Sequence, residues 1–187
     1  MINDITVIGT GYVGLVTGTC LSDFGLNVLC IDQDEDKINK LNKGIIPIYE
    51  PGLQELVKKN YSEKRLRFST DIIYGIQNAE VVFIAVGTPP KEDGSADLDN
   101  VVKVAQTIAK HMNGPKVVVN KSTVPIGTAR LVKKTIEEIK TGPYPVDVVS
   151  NPEFLREGAA VYDFMHPDRV VVGADNPEAI EIMKQVY

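Results

Sequence analysis

The stretch Ile5-Thr6-Val7-Ile8-Gly9-Thr10-Gly11-Tyr12-Val13-Gly14 decides how this chain folds. The β-branched run Ile5 to Ile8 reads as a strand, and a helix from Tyr12 to about Phe24 follows the glycines directly. Each glycine of the G-x-G-x-x-G spacing has its own physical reason. Gly9 permits the tight turn, Gly11 lets a pyrophosphate approach the backbone, and Gly14 lets helix and strand pack closely. The helix start supplies unpaired N–H groups and a partial positive charge, the combination that holds phosphate. Gly25 ends the helix as a C-cap glycine, and a second strand, Asn27 to Ile31, stops at Asp32.

The alternation continues outward from this unit. Ile38 and Leu41 mark a helix from Glu35 to Asn42, and Leu53, Leu56 and Val57 mark another after the Pro47–Pro51 turn. Leu66 to Phe68 is a short strand, and Thr70 with Asp71 opens a short helix. Val81 to Val86 is continuously apolar, as expected of a parallel strand buried on both faces. Asp99 is expected to cap a helix reaching His111. Val117 to Val119, Val146 to Val149 and Val170 to Val172 complete the strands, with a helix from Gly127 to Ile139 between the first two. The fold class is therefore α/β, a Rossmann-like doubly wound and mostly parallel sheet with helices on both faces. Pro177 to Tyr187 reads as a helix with no capping glycine, so residues 1–187 are expected to form one domain of a longer protein.

Composition narrows the partners. At 187 residues, 43% hydrophobic and 24% charged, the chain suits one well-cored domain. A net charge of -5 offers no basic face to nucleic acid or anionic lipid. No apolar run approaches the roughly 20 residues of a membrane span. Met1 leads into a strand with no basic segment or cleavage site of a secretory signal, and Cys20 and Cys30 fall in core positions as reduced thiols, so a cytoplasmic location is expected.

The cofactor follows from Asp32. A carboxylate at the end of the second strand accepts hydrogen bonds from adenosine ribose hydroxyls and repels a 2′-phosphate, which points to NAD rather than NADP. Lys37, a turn further on, is placed to lean over the same ribose, and Thr88 stands where open α/β sheets bind ligands. Plainer readings stay open: a solvated loop aspartate, a surface lysine, and a threonine capping the turn at Pro89. His111 and His166 lack ligand spacing, so no metal site is expected.

Five segments occur in order: Gly9-Thr10-Gly11-Tyr12-Val13-Gly14-Leu15, Pro47-Ile48-Tyr49-Glu50-Pro51-Gly52-Leu53, Val86-Gly87-Thr88-Pro89, Lys121-Ser122-Thr123-Val124-Pro125 and Asn151-Pro152-Glu153-Phe154-Leu155-Arg156-Glu157-Gly158. Together they resemble the N-terminal NAD-binding domain of UDP-glucose/GDP-mannose dehydrogenases, and the second segment resembles the UDP-glucose branch. The resemblance implies oxidation of a sugar C6 alcohol to the acid with two NAD, the second step passing through a thioester on cysteine. It places Thr123 and Glu157 near the nicotinamide, makes Glu153 the acid/base in thioester hydrolysis, and lines the UDP-sugar with Glu153, Phe154, Leu155, Arg156 and Glu157. It adds the backbone around Tyr12 and Val13 to the cofactor contacts.

The same residues have simpler accounts. Ser122 and Thr123 precede a helix and could serve as caps, and Glu153 with Glu157 has the spacing of two acids on one helical face. Lys121 either supports the acid pair or packs its stem. The family's catalytic cysteine has no counterpart here, because Cys20 and Cys30 lie inside the first β-α-β unit where burial suppresses thiolate. The central helix and C-terminal UDP-binding domain of the family are likewise expected to lie elsewhere. The parent enzyme is then a homodimer or higher oligomer, whereas this domain alone is expected to be inactive and monomeric. The competing functions are a GDP-mannose or UDP-N-acetylhexosamine dehydrogenase of the same family and a free-standing NAD-binding module.

Overall fold

A computed structural model describes residues 2–187; Met1, on which the expected absence of a leader rests, lies outside the described residues. The strands are β1 (Asp4–Ile8), β2 (Asn27–Ile31), β3 (Leu66–Ser69), β4 (Val81–Ile84), β5 (Lys116–Asn120) and β6 (Val146–Ser150). They form one sheet in the order β3-β2-β1-β4-β5-β6, and every neighbouring pair is parallel. The helices are α1 (Tyr12–Asp23), α2 (Glu35–Asn42), α3 (Leu53–Ser62), α4 (Ile72–Asn78), α5 (Asp99–His111), α6 (Thr128–Ile139), α7 (Ala160–Met165) and α8 (Pro177–Val186).

Side-chain alternation along the strands divides the core in two. Ile5 and Val7 of β1 face a cluster with Leu15 and Val16 of α1, Leu53 and Val57 of α3, Phe164 of α7 and Met183 of α8. Ile84 of β4 and Val118 of β5 face the other cluster, with Ile76 of α4, Ile108 of α5 and Ile136 of α6. Every residue of β4 and β5 is buried, as their continuous apolar runs require. The strand order reverses between β1 and β4, so the loops leaving their carboxyl ends diverge and open a crevice there.

Three local expectations need correction. Val170 to Val172 is not a strand: Val170 and Val171 are exposed, and the segment meets β6 only through one antiparallel bridge, Gly173 to Ser150. Asn151 holds it through a bond from its amide to the Val171 carbonyl at 2.8 Å, so its valines line a return loop instead of extending the sheet. Asp99 is the first helical residue of α5 rather than its cap, and the Asp97 carboxylate accepts its N–H at 2.9 Å. Glu153 and Glu157 share no helical face, because residues 151–159 are loop and turn and α7 begins at Ala160.

Candidate functional site

The glycine turn has the geometry its spacing implies. Gly9 sits at φ 104°, a left-handed conformation that side chains resist, and a Cβ there would lie 2.5 Å from the Ala85 carbonyl oxygen of the neighbouring strand end. A Cβ on Gly14 would meet the Gly9 carbonyl oxygen at 1.9 Å. At Gly11 nothing lies within 4 Å of the Cβ position. The two outer glycines are thus demanded by packing, while the middle one keeps open the space in front of the α1 N-terminus. Gly11 also precedes α1 with no side chain to cap it, which leaves the first N–H groups of the helix to a ligand or water.

A cleft of about 460 Å³ runs from this turn across the carboxyl ends of β1, β2 and β4, lined by Gly9, Gly11, Asp32, Lys37 and Gly87 among others. Asp32 lies in its wall. Its Oδ2 accepts the Thr10 N–H at 3.0 Å, the Thr10 hydroxyl at 2.6 Å and the Lys37 ammonium at 2.9 Å; Oδ1 accepts the Asp34 N–H at 3.1 Å. Burial by itself would raise this carboxyl, but the Thr10 hydroxyl, Lys37 and the two backbone donors outweigh it and hold the pKa down at about 2. With Oδ2 crowded and Oδ1 taking a single described bond, Oδ1 keeps acceptor capacity for a ribose hydroxyl. Lys37 neutralises Asp32 directly, whereas its position in the chain is equally compatible with a ribose contact or a free surface lysine.

A larger cleft, about 610 Å³, opens at the ends of β5 and β6. Glu153, Phe154, Leu155 and Arg156 line it, together with a polar knot whose bonding the sequence motifs do not disclose. Lys121, 5% exposed, donates to Asn151 at 3.2 Å and to the Tyr187 hydroxyl at 3.1 Å, and Tyr187 donates to Asn151 at 2.7 Å. Burial depresses the Lys121 pKa to about 8, against the opposing pull of Glu153. The Glu153 carboxylate also accepts the Leu155 N–H at 2.8 Å, which folds its own loop. Arg156 is paired with Asp163 at 2.6 Å, and Arg169 lies 5.7 Å over the Phe154 ring.

Six expected residues line neither cleft: Tyr12, Val13, Gly14, Thr88, Thr123 and Glu157. Thr88 donates its hydroxyl to the Thr123 carbonyl at 2.8 Å and so clips the β4 and β5 loops together. Ser122 bonds the Val86 carbonyl at 2.8 Å, which replaces the capping role considered for it; Gly127 is the residue that precedes α6. Glu157 is exposed at the turn before α7.

Glu50 is the residue whose role the sequence concealed. It stands in a turn between Tyr49, 90% exposed, and Pro51, yet it is only 4% exposed itself. It accepts the Tyr12 hydroxyl, the Gly158 N–H at 2.8 Å and the Val161 N–H at 3.4 Å. Burial would raise its carboxyl, but Tyr12 and the backbone donors of Gly158, Val161 and Ala160 together keep it below the ordinary range. Burial and Glu50 push the Tyr12 phenol up to about 12. No local pattern marks an acid in a turn as buried, because its backbone partners come from more than a hundred residues away.

Comparison with known proteins agrees with this geometry. The family model described as "UDP-glucose/GDP-mannose dehydrogenase family, NAD binding domain" matches residues 3–187. A UDP-glucose 6-dehydrogenase of Rhizobium meliloti (strain 1021) is 54% identical over 98% of this chain and 42% of its own length. The UDP-glucose 6-dehydrogenase TuaD of Bacillus subtilis (strain 168) is 51% identical over 98% of this chain and 40% of its own. Among solved structures, a UDP-glucose dehydrogenase from Pyrobaculum islandicum superimposes with a TM-score of 0.95 at 39% identity, covering 100% of this chain and 44% of that one. The chain thus spans about two fifths of the length of the curated relatives it matches.

Proposed function

Since the chain belongs to the UDP-glucose/GDP-mannose dehydrogenase family and matches its NAD-binding domain, we propose that it is the cofactor half of a UDP-glucose 6-dehydrogenase. The whole enzyme oxidises the C6 alcohol of UDP-glucose to a carboxylate, each of two NAD taking up a hydride. The observation that carries the reading is the open space at Gly11, set before a helix N-terminus and facing a cleft with Asp32 at its wall. A dinucleotide fits there: the pyrophosphate at the α1 N-terminus, and the adenosine ribose on Asp32 Oδ1 with Lys37 beside it. The identities of 51% and 54% to UDP-glucose 6-dehydrogenases favour that sugar over GDP-mannose and UDP-N-acetylhexosamines.

The remaining residues divide the work along the sheet edge. Glu153 serves proton transfer at the sugar-side cleft, whose lining it shares with the Lys121 ammonium. Thr123 and Glu157 stand at the nicotinamide side, and Phe154 to Arg156 shape the sugar-nucleotide wall. The sulfur nucleophile comes from elsewhere in the longer enzyme: burial raises both Cys20 and Cys30 to about 12, which removes their thiolate at neutral pH. Residues 1–187 are one domain of that enzyme, with the UDP-binding part in the remaining three fifths that its relatives carry. The enzyme works as an oligomer in the cytoplasm, where two buried free thiols stay reduced.

Calorimetric titration with NAD and NADP, beside an Asp32→Ala variant and a UDP-glucose turnover assay, tests the reading. NAD binding that weakens in the variant, without steady NADH production, supports it; tighter NADP binding or sustained turnover overturns it.

A further inference from the structure

Glu50 touches neither cleft, yet it joins the elements that build them. Tyr12 is the first residue of α1, the helix whose N-terminus faces the open space at Gly11. Gly158 and Val161 belong to the segment that follows Glu153 and Glu157 and enters α7. The three meet at one buried carboxylate: Oε2 accepts both the Tyr12 hydroxyl and the Gly158 N–H, and Oε1 accepts the Val161 N–H. The Gly158 N–H lies 3.2 Å from the Tyr12 oxygen as well, which closes the triangle. Next to it, Leu53 and Val57 of α3 are fully buried and α1 packs against α7, with Phe24 just past α1 meeting Phe164, so the carboxylate stands in a rigid frame.

We propose that Glu50 is a positioning residue that ties cofactor occupancy to the order of the substrate-side segment 153–161, through its simultaneous bonds to Tyr12 and to the Gly158 and Val161 amides. The inference rests on the assignment of NAD to the α1 N-terminus. A pyrophosphate there bonds the first N–H groups of α1 and restrains the first turn, including Tyr12. A restrained Tyr12 hydroxyl holds Glu50 in one rotamer, and Glu50 then holds the two amides that set the entry into α7. Binding that orders one end therefore lowers the entropy left to be lost at the other, which is positive linkage between the two ligands.

The segment is suited to respond. Residues 151–159 have no regular structure, and Phe154, Arg156, Glu157 and Gly158 are exposed, so few contacts other than Glu50 and the Arg156–Asp163 pair fix their backbone. Glu50→Gln is the discriminating change. An amide has one acceptor oxygen in place of two, so at least one backbone N–H must then face an NH2 group.

Hydrogen exchange of this chain, with and without NAD at saturation for each variant, tests the proposal by mass spectrometry of peptides covering 9–16 and 156–164. In the unaltered protein NAD slows exchange in both peptides, with at least a fivefold slowing in 156–164. In Glu50→Gln the slowing at 9–16 persists while that at 156–164 falls below twofold. Tyr12→Phe, which deletes one hydroxyl and keeps the ring, gives the same separation and guards against misfolding of the first variant. A merely structural Glu50 would raise exchange at 156–164 equally with and without NAD and leave the ratio unchanged; that result overturns the linkage. NAD that protects neither peptide of the unaltered protein overturns the cofactor assignment itself, which separates the two failures.

Discussion

Replacing Gly14 and Gly11 by alanine, one at a time, separates packing from ligand approach within a single turn. At Gly14 the added methyl would lie 1.9 Å from the Gly9 carbonyl oxygen and 3.2 Å from the Ala85 Cβ. Reaching even 3.0 Å from that oxygen requires α1 or the Gly9 peptide to move by about 1.1 Å. Neither is free to move, since Leu15 and Val16 are fully buried against the sheet and the Gly9 N–H is bonded to the Ile31 carbonyl at 2.7 Å. Overpacking of this kind costs about 3 kcal/mol, and the better helix propensity of alanine returns less than about 1 kcal/mol. With a urea dependence of roughly 2 kcal/mol/M, the unfolding midpoint of Gly14→Ala falls by about 1 M. At Gly11 the methyl meets nothing and the backbone, at φ -68°, already suits alanine. The small loss of a glycine cap and the small gain from a stiffer unfolded chain nearly cancel, so the midpoint shifts by less than about 0.3 M. NAD affinity nevertheless falls at least about tenfold, because the methyl occupies the path of the pyrophosphate. Urea unfolding followed by circular dichroism, together with calorimetric NAD titration, reads both quantities. Wild-type NAD affinity in Gly11→Ala would refute the placement of the pyrophosphate, and an unchanged midpoint in Gly14→Ala would refute the close helix–strand contact.

Asp32 makes the domain acid-sensitive: its pKa is depressed from 3.8 to about 2, so its contribution is complete above pH 4 and is lost as pH falls toward 2. The stability difference between the wild type and Asp32→Ala should shrink by about 2 kcal/mol across that window, measured by urea unfolding at each pH. Lys121 shifts stability in the same direction but in an alkaline window, since its folded pKa of about 8 lies below the ordinary 10.5. The unfolded chain binds the extra proton, so the stability of the wild type relative to Lys121→Met should rise by up to about 3 kcal/mol between pH 7 and 10.5. Cys20 and Cys30, both fully buried, should resist a thiol reagent at pH 8 in the native protein and react fully in denaturant; reaction of either in the native state would contradict their placement.

What the sequence determined is what depends on local spacing. The run Ile5 to Ile8, the three glycines and the α1 periodicity specify a strand, a turn and a helix whatever surrounds them, and the repeated alternation leaves few ways to stack them. Asp32 at the end of β2 was legible for the same reason, because its position relative to the glycines is set within one β-α-β unit. Local spacing misled where neighbours decide: Val170 to Val172 has the composition of a strand, but β6 meets that segment at a single bridge. Glu153 and Glu157 have helical spacing, but the Asn151–Ala159 segment is held as a loop by Glu153 on its own backbone and by Glu50 from outside.

Only the tertiary structure decided the polar centres that join distant segments. Lys121, Asn151 and Tyr187 directly follow β5, β6 and α8, and Glu50 reaches Tyr12 and Gly158 from a turn between helices. A buried charged or polar group is tolerable only when partners satisfy it, and those partners are assembled by the sheet order rather than by neighbours in the chain. Periodicity records which face of an element is apolar; it carries no information about which remote donor will meet a carboxylate once the elements have packed.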